Sequence, residues 1–287
     1  LAIVAPATAN VLAKMANGIA DDFVTTALLA TTAPKLVVPA MNEHMWQNRA
    51  TQRNVAQLVA DGMTVLQPAT GFLAEGYQGQ GRFPALAVIL AKVEACLTPQ
   101  LLQNQTVVIT AGGTNEPLDP VRFIGNRSSG KMGYALAQVA AMMGAQVTLI
   151  STRPDLTVPA GLAQVVYVET AKELQGAVQA VYANADIVIM AAAVADFKPV
   201  QYVTHKIKKQ PTQTNLQLDL TKNPDILAAL GQQKQQQLLV GFAAETNDLL
   251  ANAQTKLATK QVDLLVANDV SQTDRGFNAD QNAVTLL

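Results

Sequence analysis

The sequence predicts an α/β protein of two domains, each built on a parallel sheet. Three observations carry this. Short apolar runs alternate with longer amphipathic stretches along the whole chain. The apolar runs are hydrophobic throughout rather than alternating, as expected where helices cover both faces of a parallel sheet. And 287 residues is the length of two ordinary domains.

In order, strands are expected at 1–5, 35–40, 63–67, 106–110, 145–150, 164–168, 186–192, 238–242, 262–267 and 283–287. A helix is expected over 170–183, where Leu174, Ala177, Val178 and Val181 mark one buried face. Thr170 and Glu173 form a capping box at its start. In "KNPDI" (222–226), Asn223 is the expected N-cap, with Pro224 at the first helical position. "TPQLLQNQ" (98–105) is polar and carries a proline. It divides the chain into a domain over 1–98, a linker over 99–105 and a domain over 106–287. "GQQKQQQ" (231–237) reads as a solvated helix end or turn. "GFLAEGYQGQGRF" (71–83) holds four glycines, which weaken any regular element. It is expected to be an irregular surface loop, either a linker or a flap that closes on a ligand with Glu75 inside. Cys96, late in a helical run, reads as core.

The composition bounds the partners. Charged residues are only 14% of the chain and the formal net charge is −1, which supports neither a nucleic-acid nor a membrane partner. The longest apolar run, Ile187–Ala195, falls far short of the ~20 residues that span a bilayer. One cysteine excludes an internal disulfide and fits a reducing cytoplasm. No signal peptide is visible. The chain opens inside a strand-like run, "LAIVA", and closes in another, "NAVTLL". It reads as a fragment cut at both ends.

The chemistry concentrates in the second half. In "TVVITAGGTNEPLDPVRFIGNRSSGKMG" (106–133), a strand leads into Ala111-Gly112-Gly113-Thr114. Such glycines admit a phosphate to backbone N–H groups, or make an ordinary turn. Gly125-x-x-x-x-Gly130-Lys131 follows the P-loop pattern, but Met132 stands where Ser or Thr should bind Mg2+ and the motif sits well past the strand at 106–110 instead of directly after it; the P-loop reading is rejected. What remains is a polar loop entering a helix at about 130–144, whose amino end can hold an anion. "IVIMAAAVADF" (187–197) puts Asp196 at a strand's carboxyl end, as a ligand contact or a helix cap. "HKIKK" (205–209) gathers three lysines, which either neutralise phosphates or form a solvated loop. In the first half, "APATAN" (5–10) offers Thr8 and Asn10 for capping or for a polar ligand. "PAMNEHMW" (39–46) places Asn42 just after a strand, flanked by His44 and Trp46, which suit packing equally well. His44 and His205 are isolated, so neither is assigned to a metal or a general base.

Together these residues resemble one family. From about 104 onward, "ITAGGTNEPLDPVRFIGNRSSGKMG", "AAAVADF", "KIKK", "NPDI", "GFAAET" and "ANDVS" are similar to bacterial phosphopantothenate–cysteine ligase. "APATAN", "PAMNEHMW" and the glycine-rich stretch resemble the carboxyl part of phosphopantothenoylcysteine decarboxylase, a flavoprotein. The pair resembles the bifunctional coenzyme A biosynthesis family, without the amino-terminal part of the decarboxylase and the extreme carboxyl end. The resemblance implies two Rossmann-like domains, the cofactors FMN and Mg2+, and CTP as co-substrate. Asn126 would handle an acyl-cytidylate, supported by Arg122. Lys206 would offset charge on the transferring phosphoryl group. Ala191, Ala192, Asp196, Asn223, Pro224, Asp225, Ile226, Phe242, Lys256 and Lys260 would bind the nucleotide. Thr8 and Asn10 would contact the flavin, and Asn42, Gly76 and Arg82 the decarboxylase substrate.

Glu75 stands where the family has a proton-donating cysteine. Either it replaces that acid, its pKa raised beneath an apolar flap, or it stays ionised and the last reduction fails. The first is the favoured expectation. The resemblance further implies a cytoplasmic homo-oligomer, dimeric through the ligase domain and trimeric or higher through the decarboxylase domain, acting on small molecules. A non-catalytic flavin- or nucleotide-binding regulatory subunit is the alternative. A dehydrogenase is disfavoured, because no Gly-x-Gly-x-x-Gly follows the strand at 106–110.

Overall fold

The computed structural model describes residues 1–208, 214–245, 249–269 and 281–287. It divides into two compact units, Leu1–Pro99 and Gln100–Leu287.

The first unit runs β1 (Ala2–Ala7), α1 (Ala9–Asn17), α2 (Phe23–Ala30), β2 (Lys35–Pro39), α3 (Glu43–Gln47), α4 (Arg49–Ala60), β3 (Thr64–Val65), β4 (Ala69–Phe72), β5 (Gln78–Arg82) and α5 (Leu86–Leu97). Strands β1, β2 and β3 form a parallel sheet in that order. Side chains alternate across β2 because successive Cβ atoms point to opposite faces. Val37 joins Leu12, Trp46, Val55 and Leu58 on one side, while Leu36 and Val38 meet Ile89 of α5 on the other. Helix α1 starts where Thr8, in extended backbone, accepts the Val11 amide at 3.3 Å, and it stops at Gly18, whose φ of 67° is left-handed.

The glycine-rich stretch is not an irregular loop. It folds as an antiparallel hairpin, β4 with β5, around a turn at 73–77 in which Gly76 takes a φ of 85°. The glycines serve a close approach. A Cβ at Gly79 would come within 2.6 Å of Glu43 Oε2, and one at Gly81 would collide with the Met41 carbonyl.

The second unit runs β6 (Thr106–Ala111), β7 (Asn115–Pro117), β8 (Phe123–Gly125), α6 (Lys131–Met142), β9 (Gln146–Ser151), β10 (Gln164–Tyr167), α7 (Ala171–Tyr182), β11 (Ile187–Met190), β12 (Phe197–Pro199), β13 (Leu220–Lys222), α8 (Ile226–Gln233), β14 (Leu238–Glu245), α9 (Leu249–Lys260), β15 (Leu264–Asp269) and β16 (Val284–Leu286). Its main sheet has the order β10-β9-β6-β11-β14-β15-β16, parallel except for β16, which closes the edge antiparallel to β15. Every strand expected from the sequence is present. The short antiparallel pairs β4/β5, β7/β8 and β12/β13 escaped the reading because they are polar or glycine-bearing and only three to five residues long.

The expected capping box of α7 forms: Glu173 N donates to Thr170 Oγ1 and Thr170 N to Glu173 Oε2, each at 3.2 Å. The expected cap of α8 does not. Asp225 is the N-cap, accepting the Ala228 amide at 3.0 Å, because Asn223 is recruited elsewhere and donates through Nδ2 to the Ala195 carbonyl at 2.8 Å. Gln237 is not solvated but buried, bonded to Gln235 N and to the Tyr182 carbonyl. The segment read as a linker is held on the second unit: Gln100 Nε2 donates to Met142 O at 2.9 Å and Leu102 N to Met143 O at 3.0 Å.

Register determines which side chains share a face. Ile109, Ile189, Val240 and Leu264 stand in line across neighbouring parallel strands. Over β6 and β9 this face is covered by α6, through Tyr134, Ala137 and Ala140. The opposite face carries Val108, Val188, Leu239 and Leu265 against α7, α8 and α9. Among the described residues, no helix covers the first face over β14, β15 and β16. Leu238, Val284 and Leu286 on it are 44%, 42% and 62% exposed. Among the described residues, the expectation of helices on both faces is therefore not met over half of one face.

Candidate functional site

That uncovered half-face floors a cavity of about 1540 Å3. Val240 and Phe242 of β14 line it, as do Leu264, Val266 and Asn268 of β15. The spacing of two is the strand period. Its rim gathers Asn126, the amino end of α6 (Ser128, Ser129, Gly130, Lys131), the Ala191–Asp196 loop, Asn223–Ile226, and Lys256 with Lys260 of α9. Such a crevice at the carboxyl ends of parallel strands is where open α/β sheets hold ligands.

Loop pairing shapes the rim. Ala193 N donates to Gly112 O at 2.8 Å and Thr114 N to Ala193 O at 3.1 Å, while Thr114 Oγ1 accepts the Ala195 amide at 2.9 Å. The Gly112–Gly113 pair thus binds the alanine loop. Neither glycine is among the residues that line the cavity. Asn126 Nδ2 donates to Val194 O at 3.1 Å, which fixes the amide at the mouth. Asp225 pairs with Lys260. Burial raises the Asp225 carboxyl, but the Lys260 ammonium and the Ala228 amide outweigh it and hold it below its ordinary value.

Two expected residues lie apart from the cavity wall. Arg122 donates from both terminal nitrogens to the Ile207 carbonyl at 3.2 Å and from Nη1 to Asp119 Oδ2 at 3.1 Å. Asp119, 2% exposed, also accepts the amides of Ile207, Val121 and Arg122. Those bonds, the Ile207 amide foremost, hold its carboxyl below the usual range. The pair tethers the backbone beside Lys206. Lys206 itself is exposed and does not line the cavity. Lys209, Thr246, Val270 and Ser271, in motifs quoted above, lie outside the described residues.

In the first unit, three consecutive residues after β2 hold the hairpin. Met41 N donates to Gly81 O at 2.9 Å. Gln80 N donates to Glu43 Oε1 at 3.1 Å. Between them, Asn42 Nδ2 donates to Glu75 Oε1 at 2.7 Å and to the Tyr77 hydroxyl at 3.3 Å, while Asn42 Oδ1 caps α3 through His44 N. Glu75 is exposed. Its carboxyl is held below its ordinary value, first by the Asn42 amide, then by its own backbone amide, with His44 adding to the effect. The direction is opposite to the favoured expectation of a raised pKa, because the hairpin tip supplies a hydrogen-bond donor and no apolar enclosure. Arg82, at the end of β5, is exposed, and its Nη1 would lie 3.3 Å from a Cβ at Gly71. Thr8 is spent as the cap of α1, and Asn10 is exposed beside it.

Residues 102–287 match the family model of the DNA/pantothenate metabolism flavoprotein C-terminal domain, and residues 1–98 match the flavoprotein model. The coenzyme A biosynthesis bifunctional protein CoaBC of Bacillus subtilis (strain 168) is 51% identical over 290 residues, covering 100% of this chain and 71% of that protein. This chain belongs to the family of coenzyme A biosynthesis bifunctional proteins. Its relative from Vibrio vulnificus (strain YJ016) is 45% identical over 287 residues, again 71% of that protein. A solved structure of the C-terminal domain of a CoaBC protein is 40% identical, with a TM-score of 0.52, over 65% of this chain and 87% of that one.

Within this CoaBC-type framework, the cavity unites Asn126, Ala191, Ala192, Asp196, Asn223, Pro224, Asp225, Ile226, Phe242, Lys256 and Lys260. Sequence reasoning missed Lys131, Ser128 and Ser129 as individual wall residues, and Asn268. The signal for Asn268 was present: "ANDVS" stands at the carboxyl end of an apolar strand. Among the described residues, no group of three or more His, Cys, Asp or Glu side chains could hold a metal ion, and no helix is long and apolar enough to cross a membrane.

Proposed function

We propose that the second unit joins 4′-phosphopantothenate to cysteine at the expense of CTP. The observation that carries this reading is the cavity, in which two lysines of one helix face and the loops after β11 and before α8 converge on an apolar floor. A carboxylate oxygen of phosphopantothenate attacks the α-phosphorus, and pyrophosphate leaves with the bond to its bridging oxygen. The cysteine amine then attacks the acyl carbon, CMP leaves, and the amine proton goes to solvent. Cations facing the phosphates stabilise the charge that develops there. Lys256 and Lys260, four residues apart on α9, and Lys131 at the amino end of α6 stand on the wall for this. Asn126, steadied by the Val194 carbonyl, would hold the acyl-cytidylate. The tether from Asp119 and Arg122 to Ile207 would present Lys206. Mg2+ arriving on the triphosphate needs few protein ligands, so none is assigned.

The first unit would serve the FMN-dependent decarboxylation of the ligase product. Its donors fit one end of a flavin nucleotide: the amino end of α1, with Thr8 and Asn10 beside it. When bound, FMN supplies the electron acceptor for oxidation of the substrate thiol. Asn42 would then meet the substrate through the amide that now holds Glu75. Ionised at neutral pH, Glu75 is a hydrogen-bond acceptor rather than the acid. The ligase reading is tested by pyrophosphate release with CTP or ATP, with and without phosphopantothenate. The expected result is release with CTP only when phosphopantothenate is present. Equal use of ATP removes the CTP assignment. Nucleotide binding without any release favours the regulatory-subunit reading instead.

A further inference from the structure

Arg153 stands in the loop after β9 and does not line the cavity. Its guanidinium is divided between two partners. Nε and Nη2 donate to the two carboxylate oxygens of Asp155 at 2.9 and 2.7 Å, and Nη1 donates to the Ser128 carbonyl at 3.1 Å. Its backbone is fixed as well. Arg153 N donates to Ser151 Oγ at 2.9 Å, and the Tyr134 hydroxyl of α6 donates to Arg153 O at 2.7 Å. The stem lies over two glycines: a Cβ at Gly112 or at Gly130 would come within 3.0 Å of Arg153 Cγ.

Stability does not explain this arrangement. The Arg153 and Asp155 side chains are 34% and 59% exposed, and an ion pair so open to water adds little to folding. What the pair does is set a direction. A carboxylate that grips two N–H groups of the planar fork aims the remaining ones, here at Ser128. The Arg153 guanidinium holds the Asp155 carboxyl down at about 2, so both members stay charged at neutral pH. Ser128 lies in the segment that joins β8 to α6 and lines the cavity with Asn126. Ser128 N donates to Asn126 O at 2.9 Å, and Asn126 Nδ2 to Val194 O at 3.1 Å. A shift at Ser128 is therefore passed to Asn126.

The geometry points to Arg153, oriented by Asp155, as a positioning residue for the ligase reaction: through the Ser128 carbonyl it holds the 126–130 segment so that the Asn126 amide meets the reacting acyl group. The inference rests on the ligase reading and adds to it a residue outside the cavity. The residues assigned to CTP, Asn223–Ile226, Phe242, Lys256 and Lys260, stand on other elements: the loop into α8, β14 and α9. Loss of the clamp should therefore lower turnover and spare nucleotide affinity.

Arg153→Met, Asp155→Asn and the double variant are compared with the native whole chain. Calorimetry with Mg2+ gives CTP affinity. Pyrophosphate release with CTP, phosphopantothenate and cysteine gives kcat. Amide exchange read by mass spectrometry gives the mobility of 126–130. Arg153→Met should lower kcat roughly ten- to a hundredfold, because misplacing a reacting group by about 1 Å costs on that order. Its Kd for CTP should be unchanged. Asp155→Asn should lose less, and the double variant no more than Arg153→Met, because both act through one contact. Exchange should quicken in 126–130 and stay native in β14 and α9, a pattern that a general loss of structure does not produce. Native kcat in Arg153→Met, additive losses in the double variant, unchanged exchange in 126–130, or weakened CTP binding each overturns the inference and leaves the ligase reading standing. A native chain that releases no pyrophosphate overturns both.

Discussion

The two units use their polar side chains in opposite ways. In the first, Asn42 is spent within the fold: its amide holds Glu75 and Tyr77, and its oxygen caps a helix. In the second, Asn223 and Asn268 keep buried oxygens with no donor on a cavity wall. Packing divides the same way. Strands β6, β11, β14 and β15 bury Val108, Val188, Leu239 and Leu265 in one large cluster, whereas the first unit gathers Leu12, Val37, Trp46, Val55 and Leu58 in a smaller one. A unit with a deep core can tolerate unmet polar atoms where a ligand is to sit, because their cost is a small part of the burial.

The largest effect that would test this comparison lies in the cores. Leu265→Ala and Leu12→Ala each empty a fully buried site, and such changes cost about 2–5 kcal/mol. Leu265→Ala should fall in the upper part of that range and Leu12→Ala in the lower, because the thinner shell around Leu12 can collapse into the space. Denaturant unfolding followed by circular dichroism reads the former. The fluorescence of Trp46, the single tryptophan, reads the latter. Equal losses would break the comparison.

A smaller effect lies in the close approaches. A Cβ at Gly133 would come within 2.5 Å of the Ala111 Cβ in the second unit, and one at Gly81 would strike the Met41 carbonyl in the first. Each Gly→Ala change should cost about 1–3 kcal/mol by overpacking. Gly81→Ala should also free the hairpin, speeding amide exchange at Gln80 and Met41 while the second unit is untouched. Unchanged exchange there would mean that the hairpin is held by its tip rather than its base.

The smallest effect is at that tip. The Glu75 carboxyl is held below its ordinary value by Asn42. A group lowered in the folded state contributes above its unfolded pKa, and the contribution disappears as pH falls through the folded value. The side-chain amide protons of Asn42 should therefore shift in NMR spectra as pH falls through and below the ordinary glutamate value of about 4.3, with the midpoint below it. Glu75→Gln should abolish the shift. A midpoint above the ordinary value would restore the acid role for Glu75.

Much of this molecule was legible without coordinates. The order of strands and helices and the α7 capping box follow from hydrophobic period and turn chemistry, which act over a few neighbouring residues, and the motif residues of the cavity came from the family resemblance. Local signals failed where a distant partner competed. Asn223 left its helix to Asp225 because the Ala195 carbonyl lies within reach across 28 positions. The glycine-rich stretch became a hairpin because the loop at 41–43 offered it bonds. Glu75 stayed acidic because Asn42, 33 positions away, met it. The sequence alone determined the main-sheet strands and the residue types at their ends. Only the tertiary structure decided that, among the described residues, half of one sheet face stays uncovered and two amide oxygens are buried at that cavity without donors. Burial and pairing are properties of long-range packing, and no short window of sequence contains the partner.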